Sequence, residues 1–503
     1  MEAKIQSRQL GSSEWVSEVS RILPSEVRAS VLAQLTPTED EIKKQASVIE
    51  ALKEALENHS GSSAFQYSFI APQGSTGKKQ TQLRGASDID LFVALDKEHY
   101  RGSLDLDARN RHSAIDALME SMIDKWFIPA VANLDVQSVQ KTFSQHPYLS
   151  LKMAGFDVDI VACFHLSYDE LAQNGPITAM DRTIHHTEYV VNHLSESLRE
   201  DVRILKSFVR TSHTYGDTCA VGRMGFTGYA LELLIIFTGS FDAALEVILR
   251  LDSDPVDPLE RSLPTLKQDP GFRDDHIFII DPTDTGRNVA SSFDRRAYDL
   301  LKILTEQLVD ASRKGDHDQM MNLLLEKPIP VAPVPVWFTK HSIVREFESD
   351  GIIHYTVLRD KLHSVAKKVV SELEREPTGE ERFGKVISEV YFDDDRFAVG
   401  FLVEKPEIFS TYERKGPPLD LQEAVEGFRE VHSDTFERDD YLWVVERRKW
   451  TKAESLIDAL LQENPVEGLK RVSQGATSAK LQHVIHRYVL RVEDDFPIST
   501  VQG

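Results

Sequence analysis

The chain is 503 residues long, enough for roughly three or four domains with several cores. Its formal net charge of −23 argues against a nucleic-acid partner at first sight, although it leaves room for a local basic patch. Cys163 and Cys219 cannot build a zinc site or a disulfide framework, no apolar run approaches the roughly 18 residues that span a bilayer, and MEAKIQSRQL lacks the apolar core of a signal peptide, so a reducing cytoplasm is expected.

Residues 12–58 read as helical, with Pro24 and Pro37 opening segments and VIEALKEAL (48–56) at helical apolar spacing. Strands are predicted at 65–71, 88–95, 134–140 and 157–164, with a helix from about Ser113 to Trp126, which makes an α/β head. From about 186 to 312 the pattern turns helical, with VRILKSFVRTSH, GYALELLIIFTGSF and RAYDLLKILTEQLVDAS as its strong segments. The Pro-rich KPIPVAPVPVWF (327–338) is extended and ends that run. Beyond it, the strands GKVISEVYFD, FAVGFLVE and DYLWVVERR alternate with the helices HYTVLRDKLHSVAKKVVSELER and ESLIDALLQ, an α+β body followed by a tail. The expected division is therefore a head over 1–185, a helical neck over 186–326, and a body and tail over 327–503.

The stretch GSTGKKQTQLRGASDIDLFVAL (74–95) joins a Gly-Ser turn to a strand carrying Asp88 and Asp90. Side chains alternate along a strand, so these two carboxylates share a face and can share a divalent metal. Ile89, Leu91, Phe92 and Val93 mark the strand as buried, and unpaired carboxylates beside it would cost several kcal/mol without a cation. Gly74-Ser75 places backbone N–H groups and a hydroxyl where a triphosphate could sit, with Lys78, Lys79 and Arg84 close by in sequence. In FDVDIVACF (156–164), Asp157 and Asp159 again share a face, and either completes a triad for nucleotidyl transfer with two Mg2+ ions about 3.5–4 Å apart.

With HPYLSLKMAGFDVDIVACF (146–164), TAMDRTIHH (178–186), VRILKSF (202–208), GFTGYALELLI (225–235), GSF (239–241) and IDPTDTGRNVA (280–290), the chain resembles the class I, archaeal-type CCA-adding enzymes, tRNA nucleotidyltransferases of the polymerase beta superfamily. A weaker likeness over KGPPLD (415–420) and YLWVVERRKW (441–450) extends it across most of the chain. The resemblance implies a polymerase-beta-like head, a nucleotide-binding neck and a tRNA-binding body and tail. It also implies addition of C, C and A to the tRNA 3′ end from CTP and ATP with Mg2+ and without a template, and often a homodimer.

Residue by residue, Asp88, Asp90 and Asp159 match the metal ligands, Asp88 standing where the family often has Glu. Ser75 and Lys78 match the serine and the basic residue of the family's GSxxR turn, with Lys in place of Arg. His185 matches a histidine near the triphosphate, but TIHH is one residue shorter than the family's TPFHH, so His185 and His186 are not separated. Lys206 and Tyr215 look like the triphosphate-binding pair, and Arg287 resembles an arginine near the base, although it could instead pair with Asp281 or Asp284. Gly225, Gly228 and Tyr229 read as helix-packing residues. Arg447, Arg448 and Lys449 form the basic cluster assigned to tRNA, with Lys470-Arg471 and His486-Arg487 nearby in sequence; ordinary solvated faces are the alternative. The rival readings are a poly(A) polymerase, an oligoadenylate or cyclic-dinucleotide synthase, or a non-catalytic RNA-binding relative.

Overall fold

The computed structural model describes residues 22–85, 88–143, 146–493 and 495–497, so the helix expected over 12–21 lies outside the described residues. Two compact units emerge, one of residues up to Cys219 together with Met224–Lys327, the other of Ala220–Arg223 together with Pro328 onward.

In the first unit, α1 (Ser25–Leu35) precedes α2 (Glu39–Asn58). A capping box starts α2: the Thr38 hydroxyl accepts from the Glu41 N–H at 3.2 Å, and the Glu41 carboxylate accepts from the Thr38 N–H at 2.7 Å. A five-stranded sheet follows, built from β1 (Tyr67–Gln73), β2 (Asp88–Asp96), β3 (Val136–Phe143), β4 (Pro147–Met153) and β5 (Phe156–His165) in the order β1-β2-β5-β4-β3. Only β2 and β5 pair in parallel within it.

The odd-numbered residues Ile89, Leu91, Val93 and Leu95 of β2 and the even-numbered Val158, Ile160, Ala162 and Phe164 of β5 point into the main core. There they meet α2 and α3 (Ala108–Met122), and the Trp126 indole N–H donates to Leu56 O at 2.8 Å. Truncating an aromatic buried this deeply costs about 3–5 kcal/mol. On the opposite face Phe92, Ala94 and the buried Cys163 pack with Ile184 from α4 (Arg182–His193). Strands covered on both faces read as near-continuous apolar runs, which is how β2 and β5 stand out in the sequence.

Three expectations shift. The helix predicted from Ser113 starts at Ala108, capped by Asp107, because its polar first turn leaves no apolar spacing to read. It gives way to a π-helical turn over Ile123–Phe127. Strand β4 was not predicted, although Leu149 and Leu151 alternate with Tyr148 and Ser150. The expected boundary at residue 185 falls inside α4, and head and neck make one compact unit. The neck helices are α5 (Glu196–Thr211), α6 (Gly228–Thr238), α7 (Phe241–Ile248), α8 (Arg295–Lys314) and α9 (His317–Leu324), with the short pair β6 (Ile280–Asp281) and β7 (Asp284–Asn288) before α8.

In the second unit β8 (Ser342–Ser349), β9 (Val386–Asp393), β10 (Arg396–Val403) and β14 (Leu469–Val472) form an antiparallel sheet ordered β14-β8-β10-β9. Phe397, Val399, Phe401 and Val403 face α10 (Tyr355–Glu374) and α12 (Ala453–Glu463). Gly400 faces the other way, toward α13 (Ala476–Arg487). A Cβ there would stand 2.8 Å from Ile485 Cδ1, so glycine lets that helix close on the sheet. A second sheet, ordered β11-β13-β12, consists of β11 (Thr411–Pro418), β12 (Thr435–Arg438) and β13 (Tyr441–Arg447), with α11 (Gln422–Val431) between the first two in sequence.

Candidate active site

The parallel register of β2 and β5 sets Asp88 opposite Asp157 and Asp90 opposite Asp159, all four at the N-terminal ends of their strands and on the face away from the core. Asp157 is exposed and spends its charge on Lys152 at 3.0 Å. Asp159 accepts a 2.7 Å hydrogen bond from Ser150 on β4, which aims its carboxylate beside Asp90. Asp159, the aspartate that the resemblance singles out, is thus the one beside Asp90, while Asp157 is taken up by Lys152.

Burial raises Asp90 to about 7, helped by the Asp159 and Asp88 carboxylates and opposed by Lys79. Asp88 and Asp159 are raised as well, burial first, then neighbouring carboxylates. The Tyr148 phenol is pushed up by burial and by Asp159 and Asp90. Oxygen-only, mutually repelling ligands on a half-buried face suit a hard divalent cation, so the residues present fit one.

The turn after β1 closes over these acids. Gly74 has φ +67°, and a Cβ there would collide with Asp90 Oδ2, so only glycine lets the turn backbone approach the carboxylate. The Thr76 hydroxyl donates to Asp88 O at 2.9 Å, and Thr81 N–H donates to Ser75 O at 3.1 Å, which folds Ser75 into the turn. Lys78 points to solvent, whereas Lys79 is buried.

Lys79 belongs to a cluster whose centre the sequence pattern did not single out. Glu232, on α6, accepts from Lys79 Nζ at 3.0 Å, from Lys206 Nζ at 2.9 Å and from the Thr81 hydroxyl at 2.5 Å. Lys206 also donates to Thr81 O at 3.2 Å, and Arg203 one turn earlier donates to Gln80 O at 2.6 Å. Helix α5 thus pins the turn to the neck. Burial alone would raise Glu232, but Lys206, Lys79 and Thr81 hold it at about 2. Its signal in the sequence is a lone acid inside the apolar GYALELLIIFT. Two lysines against one glutamate leave a net positive charge beside the turn.

Tyr215 adjoins this cluster. A Cβ on Gly228 would lie 3.0 Å from its hydroxyl and 3.4 Å from Lys206 Cε. Gly225 crosses the backbone of Thr214 so closely that a Cβ would overlap the Thr214 carbonyl, which fits the packing role read for both glycines. Burial and then Glu232 raise the Tyr215 phenol to about 12, so it stays a donor at neutral pH.

The two histidines separate. His185 Nε2 bonds the backbone carbonyl of Leu166 at 3.0 Å. His186 Nε2 lies 2.8 Å from Asp281, and its ring stacks on Tyr229 at 4.0 Å between centroids. Fully buried Asp281 also accepts from the Tyr229 hydroxyl at 3.0 Å, from Thr283 and from Arg287 at 2.9 Å. Arg287 therefore pairs with Asp281, while Asp284 takes Arg182 at 2.8 Å. Lys79 stands 5.1 Å from the Tyr229 ring centre and joins the two networks, so Tyr229 does more than pack.

In the second unit Arg447 and Lys449 are exposed, but Arg448 is committed to the fold. Its guanidinium donates to Glu376 at 2.7 Å and to the carbonyl of Thr411 at 2.9 Å, over the ring of Tyr412. The expectation that Arg448 grips RNA phosphate is corrected on that ground. Arg448 lies just past the end of β13, where its N–H donates to Ser410 O at 2.8 Å, while its neighbours on either side are exposed.

Three carboxylates on adjoining parallel strands, under a glycine turn backed by buried lysines, make a site whose chemistry suits nucleotidyl transfer. Residues 200–315 match a family model described as the second domain of tRNA nucleotidyltransferase, and residues 340–475 match the C-terminal domain of the CCA-adding enzyme. The chain belongs to the CCA-adding enzyme family. It is 27% identical over 350 residues to the CCA-adding enzyme of Thermoplasma acidophilum, covering 69% of each chain. Against that of Methanothermobacter thermautotrophicus it is 25% identical over 446 residues, 86% of this chain and 88% of the relative. Against that of Pyrobaculum islandicum it is 31% identical over 269 residues, 53% of this chain and 56% of the relative. The solved structure of E. coli MS115-1 CdnC with ATP aligns at a TM-score of 0.42 and 16% identity, over 60% of this chain and 96% of that one, a likeness too remote to argue from. No described helix is long and apolar enough to cross a membrane.

Proposed function

We propose that this chain adds C, C and A in turn to the 3′ end of tRNA, using CTP and ATP without a template, with Mg2+ as its metal. The observation that carries the chemistry is the register that brings Asp88, Asp90 and Asp159 onto one face of β2 and β5. A divalent metal bound there supplies a Lewis acid for the attacking 3′ hydroxyl and for the departing pyrophosphate. Asp90 and Asp159 hold it, Ser150 keeps the Asp159 carboxylate aimed, and Asp88 completes the set.

On the triphosphate side, Ser75 and the turn backbone donate hydrogen bonds, and Lys78 approaches from solvent. Lys79 and Lys206, steadied by Glu232, neutralise charge that grows as pyrophosphate leaves, and the Tyr215 phenol donates beside them. Arg287 and His186, tied together through Asp281, face the base, while His185 holds the backbone at Leu166. Exposed Arg447 and Lys449 meet RNA phosphates, since A-form RNA is read largely through backbone and shape. A cytoplasmic location and a homodimer belong to the same reading and rest on the family alone.

The test is incorporation into tRNA transcripts ending at the discriminator base, at C or at CC, with each nucleoside triphosphate supplied separately. CTP should extend the first two and ATP only the third. Processive A addition to the discriminator end would point to a poly(A) polymerase instead, and no incorporation with any triphosphate would leave a non-catalytic relative.

A further inference from the structure

On α3, His112 and Asp116 stand one turn apart and so share a helix face. His146, just before β4, reaches the same spot. Its Nδ1 lies 2.7 Å from Asp116 Oδ1, while His112 Nε2 lies 3.4 Å from Asp116 Oδ2. The two imidazole rings are 5.1 Å apart, and one ligand atom from each of the three residues falls within 4.8 Å of the others. The side chains of His146 and Asp116 are 11% and 23% exposed, and that of His112 is 59% exposed, which leaves it free to swing.

Helix α3 covers the core side of the sheet, so this cluster lies across the sheet from Asp88, Asp90 and Asp159. The donor sets differ in kind as well. The acidic set offers only oxygen, which suits Mg2+, whereas two imidazoles and one carboxylate suit a borderline-soft ion such as Zn2+, with a fourth position open to water. Asp116 bonds His146 and lies 3.4 Å from His112, so the three donors are already gathered around one spot, and an ion there would take the place of the Asp116–His146 bond.

We propose that His112, Asp116 and His146 form a second metal site, selective for Zn2+-class cations, that clips the β3–β4 hairpin to α3. Ser150, which aims Asp159, sits on the clipped strand, so the ion stiffens the hairpin without entering the reaction.

The test uses the full chain without a histidine tag, stripped of metal and kept in excess Mg2+ to occupy the acidic set. Added Co2+ should develop the visible bands of a tetrahedral N/O site at one equivalent per chain, and Zn2+ should displace it. His112→Ala and His146→Ala should each weaken Zn2+ binding by about ten-fold or more, while Asp90→Ala leaves it unchanged. Zn2+ should also raise the melting temperature of the wild type and not that of His112→Ala, whose exposed position makes misfolding an inadequate explanation. Binding that disappears under excess Mg2+, or that persists in both histidine variants, would overturn the site and leave Asp116 as an ordinary partner of the two imidazoles.

Discussion

Replacing Glu232 with glutamine would remove the charge that holds Lys79 and Lys206 together while preserving side-chain size. All three residues are buried, at 2%, 5% and 3% exposure. The variant leaves two ammonium groups in a space nearly closed to water, and breaking a buried ion pair from one side costs about 3–5 kcal/mol. The lower end applies because the glutamine oxygen still accepts from Thr81. At about 2 °C of melting temperature per kcal/mol for a unit of this size, the first unit should melt about 6 °C lower in scanning calorimetry.

Tripolyphosphate should restore more stability to the variant than it adds to the wild type, since its oxygens take the missing carboxylate's place. The pH dependence follows from the depressed carboxyl, about 2 in the fold against 4.5 in a free chain. A depressed acid stabilises above its unfolded pKa and loses that contribution as pH falls toward the folded value. The gap between wild type and variant should hold steady above about pH 5 and close below it. A variant melting within about 1 °C of wild type at neutral pH, or equal rescue of both by tripolyphosphate, would refute the charge-cluster argument.

Asp90→Ala or Asp159→Ala should abolish nucleotide incorporation while tRNA affinity in a filter assay stays nearly intact; Asp157→Asn should be mild because that residue pairs with Lys152 at the surface, and an equal loss there would mean Asp159 is the wrong ligand. Arg287→Ala should relax discrimination among the four triphosphates more than it weakens triphosphate binding, with Asp281 still held by His186, Tyr229 and Thr283; unchanged selectivity at a uniformly lower rate would make Arg287 structural. Joint reversal of Arg447 and Lys449 to glutamate should make the salt dependence of tRNA binding shallower, by about one logarithmic unit for each phosphate no longer neutralised. Arg448→Ala should instead lower the melting temperature, since it breaks the bond to Glu376; a shallower salt slope with unchanged stability would reverse that assignment.

Local chemistry was legible where the cause is local. The apolar runs of β2 and β5 announced buried strands, the alternation of Asp88 and Asp90 announced a shared face, and Gly74-Ser75 announced a turn ahead of the strand, whereas the close approach of Gly74 to Asp90 belongs to the fold. What lay beyond the residue pattern, although the family resemblance already pointed to Asp159, were choices between adjacent or alternating residues of like type. Asp157 and Asp159 differ only in what β4 presents to them, Lys152 to one and Ser150 to the other. Lys78 and Lys79 differ only in which way the turn faces α6, and His185 and His186 only in which side of α4 meets Asp281. Arg448 looked like its two neighbours until Glu376 and Tyr412 closed around it. The sequence by itself determined which segments carry charge, apolar period and tight turns, because those depend on a few consecutive residues. Only the tertiary structure decided which charge meets which, because Lys79 and Glu232 are 153 residues apart and their meeting depends on strand register and on the docking of α5 and α6 against the turn.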